Sequence, residues 1–211
     1  MRGHFRNCTI EVGECLCDFR RYWIVFVITL GILILEIIGG IISGSLALLA
    51  DAGHVASDLI AILTAIAIAY LVYRRSDWEG GARSSGAYIH GVLLFAIALL
   101  VFLEALGRME NQNQIRSGTM MTIAFFGGAG NYLQHRILRA GRRTHVTQRG
   151  IEWHILSDLW QSVAVLLSGA LILLTQKAAI DLVVSIAIAT AMVFGGAKLI
   201  TLGRKVSPHS H

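Results

Sequence analysis

The chain has 211 residues, of which 55% are hydrophobic and 15% are charged, and its mean hydropathy is +0.65. Soluble domains carry about 25% charged residues, so this composition excludes an ordinary soluble enzyme and a disordered chain. Three cysteines cannot form an even disulfide framework. The net charge of +5 raises the question of a nucleic-acid partner. In a membrane protein such a surplus is a topology signal, so we expect membrane lipids as partners and no nucleic acid.

Six apolar segments follow one another, each close to the roughly 20 residues that a bilayer-spanning helix needs. They cover residues 22–42, 46–73, 88–106, 119–138, 153–175 and 178–200. The connections at 43–45 and 176–177 are short, so the helices that they join run antiparallel. The sequence predicts an all-α membrane protein: a six-transmembrane-helix bundle over residues 22–203, with tails at 1–21 and 204–211.

Lys and Arg residues predict the orientation of this bundle. Of the 18, all except Arg108, Arg116 and Lys177 fall on the side that holds both termini. The positive-inside rule therefore predicts cytoplasmic termini in a multi-pass protein of a plasma or bacterial inner membrane.

A five-residue pattern, His-x-x-Ser-Asp, occurs in the second and fifth segments, as His54 with Asp58 and again as His154 with Asp158. Ionisable residues inside a membrane span are costly and usually mark a function. The i, i+4 spacing places each pair on one helix face. Two such faces turned together offer two imidazole nitrogens and two carboxylate oxygens, a set that Zn²⁺ accepts in tetrahedral geometry. Two separate structural His–Asp pairs are the alternative.

Further polar residues accompany these pairs. Asp51 precedes Asp58 by seven residues and therefore lies on nearly the same helix face. We expect its carboxylate to line the path of the cation or to support a ligand from behind. Ser57 and Ser157 either orient ligands or bond to their own helix backbones. Glu36, in the first segment, is a helix-interface partner or part of an entry path.

The N-terminal tail carries His4, Cys8, Cys15 and Cys17. These side chains are candidates for a thiolate arm that captures metal in the cytoplasm, where thiols stay reduced. A disordered tail is the alternative.

The stretch from Glu36 to Asp58, with Gly44-Ser-Leu-Ala-Leu-Leu-Ala-Asp-Ala-Gly-His54 within it, closely resembles the cation diffusion facilitator family, and residues 154–158 resemble its fifth-helix signature. Glu104, for which we favour a structural role, and Asp181 also fit. The resemblance implies a proton-coupled exporter of divalent metal. Its transport site would consist of His54, Asp58, His154 and Asp158, a set similar to that of the zinc-transporting branches.

Three departures from the family pattern are expected to matter. Only about ten residues follow the sixth segment, so we expect no C-terminal cytoplasmic domain, and a homodimer would then form through the transmembrane helices. Residues 80–88 replace the family's metal-binding motif between the second and third helices. The loop before the fifth segment contains His145 but no His-rich run.

Metal binding requires deprotonated ligands, so Zn²⁺ as substrate and protons as counter-ions compete for one site. A site exposed alternately to the two sides then gives antiport. The metal remains open among Zn²⁺, Cd²⁺, Co²⁺, Fe²⁺ and Ni²⁺. We do not expect an enzyme, although an intramembrane metal-dependent hydrolase is the alternative from another class. It would need an open coordination position, which four converging ligands do not leave. A membrane-anchored metal sensor is a third possibility.

Overall fold

A computed structural model describes residues 16–74, 79–110, 114–139 and 146–206, with side chains described at 23–61, 63–64, 85–109, 114–137, 156–201 and 203–204. These residues form six long helices: α1 Leu16–Ser43, α2 Leu46–Arg74, α3 Glu79–Glu110, α4 Ser117–Arg139, α5 Val146–Thr175 and α6 Ala179–Val206. The described part of the chain contains no strand. The predicted all-α bundle of six helices is confirmed.

Several helices are longer than the apolar segments that predicted them. α3 begins at Glu79 rather than at 88, and α5 begins at Val146 rather than at 153. α1 likewise starts within the predicted tail, and α6 ends beyond 200. Hydropathy reports only the part of a helix that matches lipid, whereas the backbone hydrogen bonds continue into the polar flanks. Residues 80–88, expected between two helices, therefore belong to α3.

The outer surface of the bundle is apolar. Large side chains such as Leu174, Phe194 and Trp160 are exposed by 80%, 72% and 67%. Among the described residues, four stretches have the length and hydropathy of membrane spans: Trp23–Ser43, Ser85–Met109, Leu156–Thr175 and Ala179–Thr201. At about 1.5 Å per residue, α2 and α4 are also long enough to cross the hydrocarbon core. The chain is therefore a multi-pass integral membrane protein with lipid around its apolar surface.

Two tight connections produce antiparallel neighbours, as predicted. Gly44, between α1 and α2, has a φ of +73°, a left-handed conformation that glycine adopts without strain, and its N–H donates to the carbonyl of Gly40 over 2.9 Å. Gln176, between α5 and α6, has a φ of +56°, and its N–H donates to the carbonyl of Ile172 over 2.8 Å. Both turns close their helices with bonds to the preceding helical turn.

α2 lies at the centre of the bundle, in contact with α1, α3, α5 and α6, while α3 packs along α6 and α4 packs along α5. The α3–α6 interface depends on two glycines. A Cβ atom on Gly91 would lie 3.0 Å from the carbonyl oxygen of Gly196, and one on Gly196 would lie 2.9 Å from the carbonyl oxygen of Gly91. These two backbones approach as closely as small residues permit in membrane helix pairs.

A carboxylate from α6 caps the first turn of α2. The hydroxyl of Ser45 donates to Asp181 Oδ1 over 2.6 Å, and the backbone N–H of Leu46 donates to Asp181 Oδ2 over 2.6 Å. The N–H of Ala47 lies 3.4 Å from both oxygens. A negative charge is favourable at a helix N-terminus, where backbone N–H groups lack partners within the helix. α6 therefore fixes the position at which α2 begins.

Arg108 ties α3 to the same end of the bundle. Its guanidinium donates to the carbonyl of Gly44 over 2.6 Å and to Glu104 Oε1 over 2.9 Å. The Glu104 side chain is 56% exposed and pairs with Arg108 one turn further along its own helix.

Candidate metal centre

A largely buried group of potential metal ligands lies between α2 and α5. His54, Asp58 and Asp158 each offer one ligand atom, and these atoms all lie within 4.8 Å of one another. The i, i+4 spacing brings His54 and Asp58 to one face of α2, and the contact between α2 and α5 brings Asp158 against that face. These three of the four predicted ligands are therefore assembled in the structure.

The nitrogen of one imidazole lies between the two carboxylates. His54 Nε2 is 3.3 Å from Asp158 Oδ1 and 3.7 Å from Asp58 Oδ2. Asp58 and Asp158 are only 6% and 7% exposed. Two buried carboxylates at such separations repel each other and lose their hydration, a cost that a divalent cation bound between them offsets. The arrangement is suited to a cation that accepts mixed nitrogen and oxygen ligands.

His154 belongs to α5 and precedes Asp158 by about one helical turn. Its side chain lies outside the described residues. Its assignment as the fourth ligand stays a prediction.

Two further acids lie buried close to this group. Glu36 is 1% exposed and Asp51, one helical turn before His54, is 2% exposed. Neither Glu36 oxygen, nor Asp51 Oδ1, has a hydrogen-bond partner among the described residues. A Cβ atom on Gly127 of α4 would lie 2.9 Å from Glu36 Oε1, so the glycine leaves the space in which this carboxylate lies.

The two serines of the repeated pattern have different surroundings. Ser57 is fully buried, and its hydroxyl has no hydrogen-bond partner within the described part of the chain, so the back-bond to the α2 backbone, one of its two predicted roles, is not formed. Ser157 is exposed on α5, although Asp158 beside it is buried.

Sequence reasoning missed one residue of this region. His90, on α3, places Nε2 at 3.2 Å from Asp58 Oδ1. His90 has no acidic residue three or four positions away that would mark a ligand pair on its own helix. Its neighbour Asp58 lies on a different helix, α2. The sequence signal was limited to an ionisable residue within a membrane span, which is unusual in itself.

The N-terminal candidates cannot be placed in the same way. His4, Cys8 and Cys15 lie outside the described residues. Cys17 belongs to α1, and its side chain is not described.

A six-helix membrane bundle that brings His54 and Asp58 of α2 together with Asp158 of α5 is the arrangement expected of a membrane protein that binds a divalent cation. A family profile described as "Cation efflux transmembrane domain" matches residues 22–202. Because the match covers most of the sequence, the chain belongs to this family.

The chain is similar to several bacterial transporters. It is 32% identical over 173 residues to the zinc transporter ZitB of Escherichia coli (strain K12), a match that covers 79% of this chain and 55% of that protein. It is 32% identical over 180 residues to the "cadmium, cobalt and zinc/H(+)-K(+) antiporter" of Bacillus subtilis (strain 168), covering 82% of this chain and 58% of that protein. It is 30% identical over 177 residues to the metal cation efflux system protein CzcD of Cupriavidus metallidurans, covering 80% and 55%. The chain spans about half the length of the curated relatives that it matches.

Proposed function

We propose that the chain transports a divalent metal cation, Zn²⁺ above all, out of the cytoplasm in exchange for protons. One observation carries this proposal: ligand atoms of His54, Asp58 and Asp158, from two helices of a membrane bundle, lie within 4.8 Å of one another. His154, one turn from Asp158, is proposed as the fourth ligand.

The coupling follows from the chemistry of the ligands. An imidazole binds metal when it is neutral and an aspartate when it is ionised, so Zn²⁺ and protons exclude each other at one site. If the site faces the two sides of the membrane in turn, protons from one side release the metal taken up from the other. Relatives named as a zinc transporter and as a cadmium, cobalt and zinc antiporter support this assignment.

The ligand types favour zinc among the first-row cations. Imidazole suits Zn²⁺, whereas all-oxygen sites suit Mg²⁺ and Mn²⁺. Cd²⁺ and Co²⁺ accept the same donors and are the nearest competitors, with Fe²⁺ and Ni²⁺ behind them. Competition by each cation against labelled zinc uptake would establish the order of preference.

Membership of a cation efflux family favours transport over the intramembrane hydrolase. A hydrolytic metal site also needs an open coordination position for water, which a filled set of His54, Asp58, His154 and Asp158 does not leave.

Flux into proteoliposomes tests the proposal. Zinc accumulation is expected to require an opposing proton gradient and to disappear in Asp58→Ala and Asp158→Ala, because each loses a carboxylate of the cluster. Glu104→Ala is the matched control, since that acid is 56% exposed and pairs with Arg108 outside the cluster. Undiminished transport in both aspartate variants would contradict the assignment of the site.

We also propose that Asp51 and Glu36 line the route of the cation next to the site. Their burial and their oxygens without described partners support this role. Glu36→Gln keeps the side-chain size and removes the charge. It is expected to slow zinc flux while zinc binding at equilibrium changes less than in Asp158→Ala. Equal losses of binding in the two variants would instead make Glu36 a ligand.

Cytoplasmic termini are proposed from the distribution of Lys and Arg. All three cysteines of the chain lie at positions 8, 15 and 17, so thiol labelling of the unmodified protein shows on which side of the membrane the N-terminus lies. A membrane-impermeant maleimide is expected to label these thiols in inside-out vesicles and not in intact cells.

Deletion of residues 1–18 tests the proposed N-terminal capture arm, because loss of the arm would lower the affinity for zinc. Cross-linking in detergent tests the proposed homodimer, which would appear as one defined species.

A further inference from the structure

His90 brings a third helix to the cation pathway. It lies on α3, and its Nε2 is 3.2 Å from Asp58 Oδ1, while the other oxygen of the same carboxylate, Oδ2, faces His54. Asp58 is thus held between an imidazole of α2 and an imidazole of α3. We propose that His90 is a metal ligand, and that His90 with Asp58 forms a second cation position that shares Asp58 with the first. This inference rests on the proposed transport function.

The separations fit metal ligands. At a zinc–ligand distance of about 2.0–2.1 Å, two ligands of a tetrahedral ion lie about 3.3 Å apart. His54 Nε2 and Asp158 Oδ1 are separated by 3.3 Å, and His90 Nε2 and Asp58 Oδ1 by 3.2 Å. Both pairs are therefore spaced as neighbouring ligands of one ion.

The orientation of His90 points the same way. Its Nε2 is buried and has no hydrogen-bond partner among the described residues, although a carboxylate oxygen lies 3.2 Å away. A nitrogen that held this oxygen by a hydrogen bond would direct its N–H at it. His90 Nε2 lies beside the Asp58 carboxylate without this alignment. The two groups are therefore placed to bind one cation between them, where a hydrogen bond would place a proton.

Sharing Asp58 gives a cation two adjoining positions. In the first it meets His54, Asp58 Oδ2 and Asp158, and in the second it meets His90 and Asp58 Oδ1. Two divalent ions at this distance would repel strongly, so a single ion occupies one position or the other. The ion can pass between them without leaving Asp58, and α3 gains a direct interaction with the transported metal.

Zinc binding to the whole chain in detergent, with Zn²⁺ alone as the probe, tests the ligand. His90→Ala and the size-matched His90→Gln are compared with His135→Ala, which removes a partly buried imidazole from α4. Because the His90 variants remove one of two alternative positions for a single ion, we expect about a twofold loss of affinity in both of them and no measurable change in His135→Ala. Thermal unfolding confirms that each variant is folded.

X-ray absorption at the zinc edge counts bound imidazoles and distinguishes a ligand from a residue that only positions Asp58. The imidazole scattering is expected to rise in His90→Gln, because the ion is then confined to the position with His54 and the proposed ligand His154, and to stay unchanged in His135→Ala. Unchanged scattering in His90→Gln would overturn the proposal, whether or not the affinity changes. If Asp158→Ala abolishes binding while His90→Gln leaves affinity and scattering intact, only this inference fails. If Asp158→Ala also leaves binding intact, the proposed function fails with it.

Discussion

Replacing Asp181 by Ala removes the carboxylate that caps α2 from outside that helix. Asp181 is 1% exposed and accepts two bonds of 2.6 Å, from the Ser45 hydroxyl and the Leu46 N–H. Hydrogen bonds to a charged group contribute about 1.5–3 kcal/mol each. Ser45 would keep one interaction in the variant, because its Oγ also accepts from the N–H of Leu48 over 3.1 Å, and this reduces the loss. We therefore expect Asp181→Ala to lower the free energy of unfolding by roughly 3–5 kcal/mol.

Reversible unfolding in mixed micelles with increasing SDS, followed by tryptophan fluorescence, measures this loss. Asp181→Asn keeps one acceptor oxygen without the charge and is expected to lose about half as much. Ser185→Ala is the control on the same helix, because the Ser185 hydroxyl donates within its own helix, to the carbonyl of Leu182 over 2.9 Å. Its loss should stay below about 1 kcal/mol. A loss below about 1 kcal/mol in Asp181→Ala would refute the capping role.

Two other substitutions test the contacts that hold α3 in place. Gly196→Leu should destabilise the bundle by about 1–3 kcal/mol, because its Cβ would lie 2.9 Å from a carbonyl oxygen of α3. Gly195→Leu, whose Cβ would meet only Leu94 at 3.9 Å, should change stability much less, and equal losses in SDS titrations would contradict a packing role. Arg108→Ala should cost about 1.5–3 kcal/mol through its bond to the backbone at the start of α2. Glu104→Ala should cost under about 1 kcal/mol, because it loses only an exposed i, i+4 pair, and the reverse order of the two losses would contradict this role for Arg108.

The sequence was sufficient for the bundle and for the cluster of ligands. Apolar segments of bilayer length predicted six helices, and two His-x-x-Ser-Asp patterns predicted that α2 and α5 would face each other. In the structure Asp58 and Asp158 lie close to His54 across these helices, and their role as metal ligands stays a prediction. Both predictions rest on periodicity within single helices, which a sequence carries directly.

Contacts between distant segments could not be predicted in that way. Asp181 caps a helix that begins 135 positions before it, whereas sequence rules for capping consider only neighbouring residues. His90 meets Asp58 because α3 packs on α2 at one rotation about its axis. Hydropathy does not report this rotation for a helix that is apolar on most sides. The helix ends at Glu79 and Val146 were missed because hydropathy follows lipid and not backbone hydrogen bonding.

The close approach of Gly91 and Gly196 makes α3 and α6 a tightly packed pair, and this pair holds α2 at two heights. His90 meets α2 at Asp58, and Asp181 meets it at Leu46, about 18 Å further along the helix axis. The α3–α6 pair cannot slide along α2 while both contacts persist, because a displacement of a fraction of a helical turn would separate His90 from Asp58 and Asp181 from Leu46. It can tilt if one contact breaks and the other acts as the pivot. In the proposed transport cycle, a tilt of this pair about the Asp181 contact would carry His90 toward or away from Asp58.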